Sequence, residues 1–444
     1  MSEQNFQFDT LKVRGGYNPK DHNYSVAVPI YQTASFELGG TQRFERLRSF
    51  QEAGYFYTRL GNPTTTVLEE RIAALDGAAA ALAVASGMAA ITLTLFSVAE
   101  GGGRILTTEQ LYGGTIDGFR KLYPKFGIKI DKVDDPNDPE AFRKAIKEDT
   151  KAIFIESISN PNAIVSDIEA IAQIAHEHNI PLIVDNTFAT PYLLNPIKFG
   201  ADIVIYSATK AISGHGNTIA GIVLESGKFN WGNGKYPQFE EKNYFLRNSQ
   251  GVERSFLEAA PHAPFITKLR FHYLAYFGSV LSPFDAYLVL LGLETLSERI
   301  QKQISNTEKI IQYLESSEHV AWINHPSSKS SPYKDLVKKY LPKGAGSNLT
   351  FGFKGSEEQL EKFLNSVKLF SYQANIGDAR SLIIDPPKVT HGELNFEERK
   401  IADIHPETVR LSIGLEDASD LIADLKQAFE VAFNEVTFNK ELAI

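Results

Sequence analysis

The sequence predicts an α/β protein: a large unit built on a mostly parallel sheet, followed by a smaller C-terminal α/β unit. Two observations carry this prediction. From residue 63 to about 227, helical patterns alternate with short apolar runs at 79–85, 104–108, 128–133, 152–156, 182–185, 203–206 and 219–224. That alternation is the pattern of parallel strands joined by crossover helices. Two of the runs also close on residues of opposite charge, Pro181-Leu-Ile-Val-Asp185 and Asp202-Ile-Val-Ile-Tyr-Ser207-Ala-Thr209-Lys210. Residues just past the carboxyl ends of such strands line the ligand crevice of an open α/β sheet, so Asp185 and Lys210 are predicted to face one cavity.

In chain order, residues 1–62 mix aromatics, arginines and glycines without periodicity and read as an extended arm, a kind of segment that often crosses to a partner subunit. The large unit is expected over 63–280. Within it, 228–260 is polar and aromatic, includes Trp231-Gly-Asn-Gly-Lys-Tyr236, and reads as an insertion near the mouth of the crevice. Residues 282–314 read as one long helix with Leu288, Leu291, Thr295 and Ile300 on one face. The smaller unit is expected over 281–444, with a strand at 348–353 and a serine-rich patch at Ser327–Ser331. No internal repeat is present.

Composition narrows the function classes. At 444 residues with 43% hydrophobic content, the chain exceeds one ordinary core and is ample for a packed enzyme of two units. A net charge of −9 gives no electrostatic footprint for nucleic acid or anionic membrane. No apolar run approaches the roughly 20 residues that span a bilayer, and the N-terminus lacks the basic-then-apolar layout of a signal peptide, so a cytoplasmic protein is expected. The sequence contains no cysteine, which removes disulfides and thiolate metal sites. Histidines 176, 178, 215 and 391 lack metal-ligand spacing, so no metal is expected.

An Asp and a Lys at neighbouring strand ends can be a buried ion pair and nothing more. Their company points further. Ser207 and Thr209 beside Lys210 offer hydroxyls to an anion. Ser86-Gly87-Met88-Ala-Ala90 follows the apolar run 81–85 as a strand breaking into a capped helix, whose free N–H groups and positive dipole end can hold a phosphate. An ordinary capped helix reads the same way. Gly214-His-Gly216-Asn-Thr-Ile-Ala-Gly221 imitates a dinucleotide loop, yet that fingerprint must open a helix, and here a strand follows. Pyridoxal phosphate (PLP) chemistry needs a lysine to hold the cofactor's aldehyde and an acid to keep its ring nitrogen protonated.

Six separated segments together carry a resemblance: Tyr55-Phe-Tyr57-Thr-Arg59-Leu-Gly-Asn-Pro-Thr64, Ser86–Ala90, Leu111-Tyr112-Gly-Gly-Thr115, Asn160-Pro161, Val184-Asp185-Asn-Thr187 and Ser207–Lys210. In order and spacing they resemble the Cys/Met-metabolism PLP-dependent (trans-sulfuration) enzymes along nearly the whole chain. Phe265–Lys268, Leu281–Phe284, Gly292–Leu296, Asn375–Leu382 and Val409–Gly414 are most similar to the branch that acts on O-acetylhomoserine. The resemblance implies a PLP fold type I, aspartate aminotransferase-like architecture, and a site in which Lys210 holds the cofactor and serves as base. Asp185 would pair with the ring nitrogen, Tyr112 would stack on the ring and act as a second acid/base group, and Asn160 would bind the 3-oxygen. Thr187 comes with the Asp185 motif as a cofactor contact. The phosphate would lie against Ser86, Gly87, Met88, Ser207 and Thr209, with Tyr57 and Arg59 supplied by a neighbouring subunit. Arg410, helped by Asn375, would clamp the substrate carboxylate. A homo-oligomer is implied, a dimer with shared sites assembled into a tetramer, together with γ-replacement of the acetyl ester by sulfide or methanethiol. One segment departs from the family: Asp385-Pro-Pro-Lys-Val-Thr-His391 stands where His-Pro-Ala-Ser-Thr-Thr-His is common, which loosens the substrate assignment. Gly114 stands where methionine γ-lyases carry a cysteine. Cystathionine γ-synthase or lyase chemistry is the nearest alternative, and a catalytically silent scaffold the alternative of another class.

Overall fold

All seven apolar runs become strands of a single sheet: β1 (Ala80–Val84), β2 (Gly103–Thr107), β3 (Ile128–Lys132), β4 (Thr150–Glu156), β5 (Leu182–Asp185), β6 (Ile203–Ser207) and β7 (Gly221–Glu225). The computed structural model describes residues 6–392 and 395–434; residues 1–5 of the expected arm, and 393–394 and 435–444 of the expected C-terminal unit, lie outside the described residues. The strand order is β1-β7-β6-β5-β4-β2-β3, and β7 alone runs antiparallel to its neighbours. Strands buried on both faces should be apolar at consecutive positions, and Leu182, Ile183 and Val184 of β5 are fully buried. Leu182 and Val184 join the core cluster that holds Ile72, Val204 and Leu293, while Ile183 joins the one that holds Leu82, Ile205 and Phe265. This alternation is the period of two expected of a strand.

Two sequence expectations are corrected here. Residues 228–260 contribute none of the side chains that line the large cavity of this chain. Trp231, Tyr236, Phe239, Leu246 and Phe256 are buried in the second core cluster instead. Trp231 stacks on Phe265 with ring centroids 5.0 Å apart and donates to Glu225 Oε1 at 3.0 Å. The polar residues suggested a surface loop, but the aromatics between them carry about 150–250 Å² of surface each, and burying it decides the segment's place. The expected helix over 282–314 is two helices, Pro283–Glu294 and Leu296–Glu315, joined at Thr295 with φ −115° and ψ 19°. The buried face of the first is Ala286, Val289, Leu290 and Leu293, and Leu291 points outward. The misreading arises because this helix is apolar nearly all round, so its sequence does not mark one side.

That junction positions the loop after β6. A Cβ on Gly292 would sit 2.1 Å from Ser213 O, so only glycine permits this approach. Arg299 donates to Ala211 O at 2.8 Å and to Ile212 O at 3.1 Å, tying the chain beyond Lys210 to the second helix. Gly214 and Gly216 both have positive φ, and the strand β7 follows them rather than a helix.

A second, five-stranded sheet is formed by β8 (Val320–Asn324), β9 (Asn348–Phe353), β10 (Ser371–Tyr372), β11 (Leu382–Ile384) and β12 (Thr408–Ser412), in the order β10-β11-β12-β9-β8. It is antiparallel except for β10 with β11. Helices Glu357–Ser366 and Ala418–Asn434 pack on it through Phe353, Phe363 and Phe429.

Candidate active site

A cavity of about 520 Å³ opens where the carboxyl ends of β4, β5 and β6 meet the second sheet. Lys210 reaches it three residues past β6. Its Nζ donates to Asn375 Oδ1 at 2.8 Å. Burial first, and the Arg410 guanidinium second, push its ammonium down to about 8, because both disfavour a further positive charge there.

Asp185 ends β5 on the same wall. Its Oδ1 accepts the Thr187 N–H at 2.9 Å, and the Thr187 hydroxyl accepts the Ser207 N–H at 2.8 Å. These two bonds lock the strand ends that carry Asp185 and Lys210 together. Burial raises the Asp185 carboxyl despite the help of Thr187. Glu156 is its cross-strand neighbour at the end of β4. Burial and then the Asp185 charge push Glu156 up to about 8, although Oε1 accepts the Tyr112 N–H at 2.7 Å and Oε2 the Asn160 N–H at 3.0 Å.

On the opposite side, helix Gly87–Val98 starts at the cavity with Ser86 as its cap, the Ser86 hydroxyl accepting from Ala89 N at 3.0 Å. Gly87 and Met88 line the cavity next to Ser207 and Thr209. A Cβ on Gly87 would lie 2.7 Å from Ser207 Cβ and 2.9 Å from its Oγ, so the close approach of helix start and hydroxyl requires glycine.

From the second sheet, β12 presents Arg410, buried, with Nη1 donating to Asn160 Oδ1 at 3.1 Å and Nη2 to Asn375 O at 3.1 Å. Tyr112, the residue before helix Gly113–Lys121, exposes 40% of its surface in the cavity. His391, set aside by the sequence reading as a metal ligand, packs into the wall; burial pushes it down to about 4, so it is a neutral imidazole at physiological pH. His176 instead pairs with Asp202 at 2.8 Å, away from the cavity.

The cavity thus gathers twelve of the fourteen residues expected from sequence, and the exceptions are Tyr57 and Arg59. Those two lie on the arm, exposed, with the Arg59 guanidinium 5.0 Å over the Tyr57 ring. Glu156 escaped the sequence reading although it closes the run 152–156 as Asp185 closes its own, a signal available beforehand. Val389 and Ile376, which also line the wall, lie in two stretches singled out in the sequence, 385–391 and 375–382, but neither was assigned a role there.

Residues 9–430 match the family of Cys/Met metabolism PLP-dependent enzymes. The chain belongs to that family. A sulfhydrylase, FUB7, of Gibberella moniliformis is 44% identical over 98% of this chain and 100% of its own length. The O-acetyl-L-homoserine sulfhydrylase of Leptospira meyeri is 41% identical over 96% of this chain and 97% of its own. Among solved structures, a chain described as an O-acetylhomoserine (thiol)-lyase from Campylobacter jejuni, carrying a pyridoxyl-lysine phosphate, superposes with a TM-score of 0.89 at 38% identity, covering 96% of this chain and 100% of that one.

The family's cofactor suits what this cavity offers. A flat heterocycle with a basic ring nitrogen, an aldehyde and a phosphate needs a carboxylate, a lysine and an anion cradle, and here Asp185, Lys210 and the Gly87–Met88 helix start with Ser207 line one space. The Gly87 contact makes the same point, because a side chain there would fill the cradle.

Proposed function

We propose that this PLP-dependent enzyme exchanges the γ-acetoxy group of O-acetylhomoserine for sulfide or methanethiol, yielding homocysteine or methionine and acetate. One observation carries the reading. Lys210 and Arg410 are the only Lys or Arg side chains lining the cavity among the described residues. Lys388 and Arg380, the cations nearest in sequence to the wall residues Val389 and Ile376, are elsewhere: Lys388 pairs with Glu357 at 2.9 Å, and Arg380 is 68% exposed beside Asp378. With Lys210 committed to the cofactor, Arg410 remains to bind one carboxylate. That suits one amino-acid substrate and a small acceptor without a carboxylate. Ile158, Ile219, Ile376 and Val389 supply an apolar lining consistent with sulfide or an alkyl thiol. The sulfhydrylase relatives point the same way.

PLP, when bound, supplies an electron sink for negative charge on the substrate's α- and β-carbons. Asp185 would hold the ring nitrogen protonated, Asn160 the 3-oxygen, Thr187 would steady Asp185, and Ser86, Gly87, Met88, Ser207 and Thr209 would hold the phosphate. Arg410 orients the substrate by a bidentate grip on its α-carboxylate. Lys210 Nζ, steered by Asn375 Oδ1, takes the proton from the α-carbon and returns it after the sulfur has added at the γ-carbon. An amine drawn down to about 8 is suited to both tasks near neutrality. Tyr112 would cover the ring face, with its hydroxyl as a second proton carrier. Tyr57 and Arg59 would reach the phosphate of a partner subunit, making a dimer the smallest complete unit. A homotetramer, which rests on the family resemblance, and a cytoplasmic location also belong to this proposal.

Steady-state rates with the acetyl and succinyl esters, each crossed with sulfide, methanethiol and cysteine, test the reading. Leaving the acceptor's carboxylate unpaired in this cavity costs about 1–3 kcal/mol, so kcat/KM for cysteine should fall roughly 5- to 150-fold below sulfide. Cysteine with the succinyl ester as the best pair would overturn the assignment in favour of cystathionine synthesis.

A further inference from the structure

We propose that Glu156 is a positioning residue that sets Tyr112 and Asn160 against the cofactor by accepting both their backbone N–H groups on one carboxylate. The inference rests on the reading just given for those two residues. Glu156 ends β4, a strand locked between β2 and β5, and is only 7% exposed. Its backbone is held as well, the Ser166 hydroxyl donating to Glu156 O at 2.8 Å. From this fixed base Oε1 accepts Tyr112 N at 2.7 Å and Oε2 accepts Asn160 N at 3.0 Å.

Both targets need an outside anchor. Tyr112 N precedes the helix Gly113–Lys121, so no helical carbonyl is available to it. Asn160 sits in the turn after β4, and its side chain has a second duty, since its Oδ1 accepts from Arg410 Nη1 at 3.1 Å. One carboxylate therefore sets a cofactor-facing ring, a cofactor-facing amide and, through that amide, the guanidinium that grips the substrate. A carboxyl group can do this because both its oxygens have acceptor capacity, the ionised form on each and the protonated form through its carbonyl oxygen and the lone pairs of its hydroxyl. Glutamine keeps one acceptor and turns an NH2 toward the other N–H. Alanine leaves both N–H groups without a partner. Aspartate keeps the carboxyl group on a stem one carbon shorter and reaches one target at a time.

The test uses the apoprotein and the holoenzyme of Glu156→Gln, Glu156→Ala and Glu156→Asp. The expected result is a graded rise in the dissociation constant for PLP, measured by absorbance titration of apoprotein: about 3- to 10-fold for Gln and Asp and about 10- to 100-fold for Ala, as expected for one or two lost acceptors. The KM for the ester should rise with it, because Arg410 loosens. Thermal melting of the apoprotein should change little in the Gln and Asp variants. A double-mutant cycle with Tyr112→Ala should show less than additive losses in PLP affinity, because Glu156 acts there through Tyr112. Wild-type PLP affinity in folded Glu156→Gln and Glu156→Ala, or strictly additive cycles, would overturn the proposal. If Ala fails to fold, Gln and Asp decide by the same readouts. Tyr112→Ala and Asn160→Ala alone separate the two layers: should neither weaken PLP binding, the underlying cofactor reading fails, whereas loss there with none at Glu156 sinks only the positioning role.

Discussion

Lys210 should titrate in the apoprotein near pH 8, and the consequence is large enough to measure directly. At pH 7.5 an amine with a midpoint of about 8 is about one quarter neutral, whereas an ordinary lysine near 10.4 is about 0.1% neutral, a ratio of roughly 200. The lower basicity of the perturbed amine makes it a weaker nucleophile, yet an advantage well above tenfold should survive. The assay is the rate at which a water-soluble acylating reagent modifies Lys210, read by mass spectrometry of its peptide between pH 6 and 11. Free N-acetyl-lysine amide in the same mixture, with the ordinary lysine midpoint of about 10.4, serves as the reference. Lys210 should reach half its maximal rate near 8 and level off, while the reference still climbs above pH 9. Arg410→Gln should move the Lys210 midpoint upward, though not to 10.4, because burial is the larger of the two causes. The linked effect on stability has a definite sign. Between about 8 and 10.4 the unfolded chain binds more protons at this site than the native one, so the Lys210 contribution to stability rises with pH across that window. A Lys210 midpoint above 10 in wild-type apoprotein would refute the account.

Two further predictions follow from groups in and beyond the cavity. Mixing inactive Arg59→Ala and Lys210→Ala chains should restore about a quarter of wild-type activity, since half the randomly formed dimers are mixed and each has one intact site of two; hybrids shown to form by mass spectrometry but inactive would place the arm in its own subunit's chemistry. Asp76 is buried, accepts the Tyr206 hydroxyl at 2.7 Å, and is raised by burial from 3.8 to about 7, so the native state binds more protons than the unfolded one in between and stability falls as pH rises through that window. Asp76→Asn should remove this slope and stabilise the protein above pH 7 by on the order of 2 kcal/mol relative to its effect at pH 5, read from urea unfolding at both pH values; an equal change at both would count against it.

The sequence exposed what depends on local pattern. The strands β1 and β4 to β7 were legible because burial on both faces forces apolar runs, the edge strand β3 was legible by its alternation Ile-Lys-Ile, and Asp185 and Lys210 were legible because they interrupt the central runs at the crevice end. Patterns that depend on a distant partner were not. Nothing in 282–314 says that Thr295 leaves the helix; that follows from Gly292 lying against Ser213 O and from Arg299 reaching back across the chain to Ala211 O. Trp231 and Phe239 were misplaced for the same reason, since their partner Phe265 lies beyond the segment itself.

The same distance effect explains why the substrate half of the site was harder to read than the cofactor half. Two of the side-chain bonds that set Arg410 and Asn375 cross between the two units, Lys210 Nζ to Asn375 Oδ1 and Arg410 Nη1 to Asn160 Oδ1, and a third, Arg410 Nη2 to Asn375 O, joins two distant stretches of the C-terminal unit. The guanidinium already uses two donors to hold the loops around it, so a carboxylate that takes a bidentate grip must compete with Asn160 and Asn375 for those donors. In the proposed mechanism substrate entry is thereby coupled to the position of Asn375, and through Asn375 to Lys210, the group proposed to move the substrate's proton. Binding at the carboxylate and freedom of the base are in this way one event, arranged by contacts that no single stretch of sequence contains.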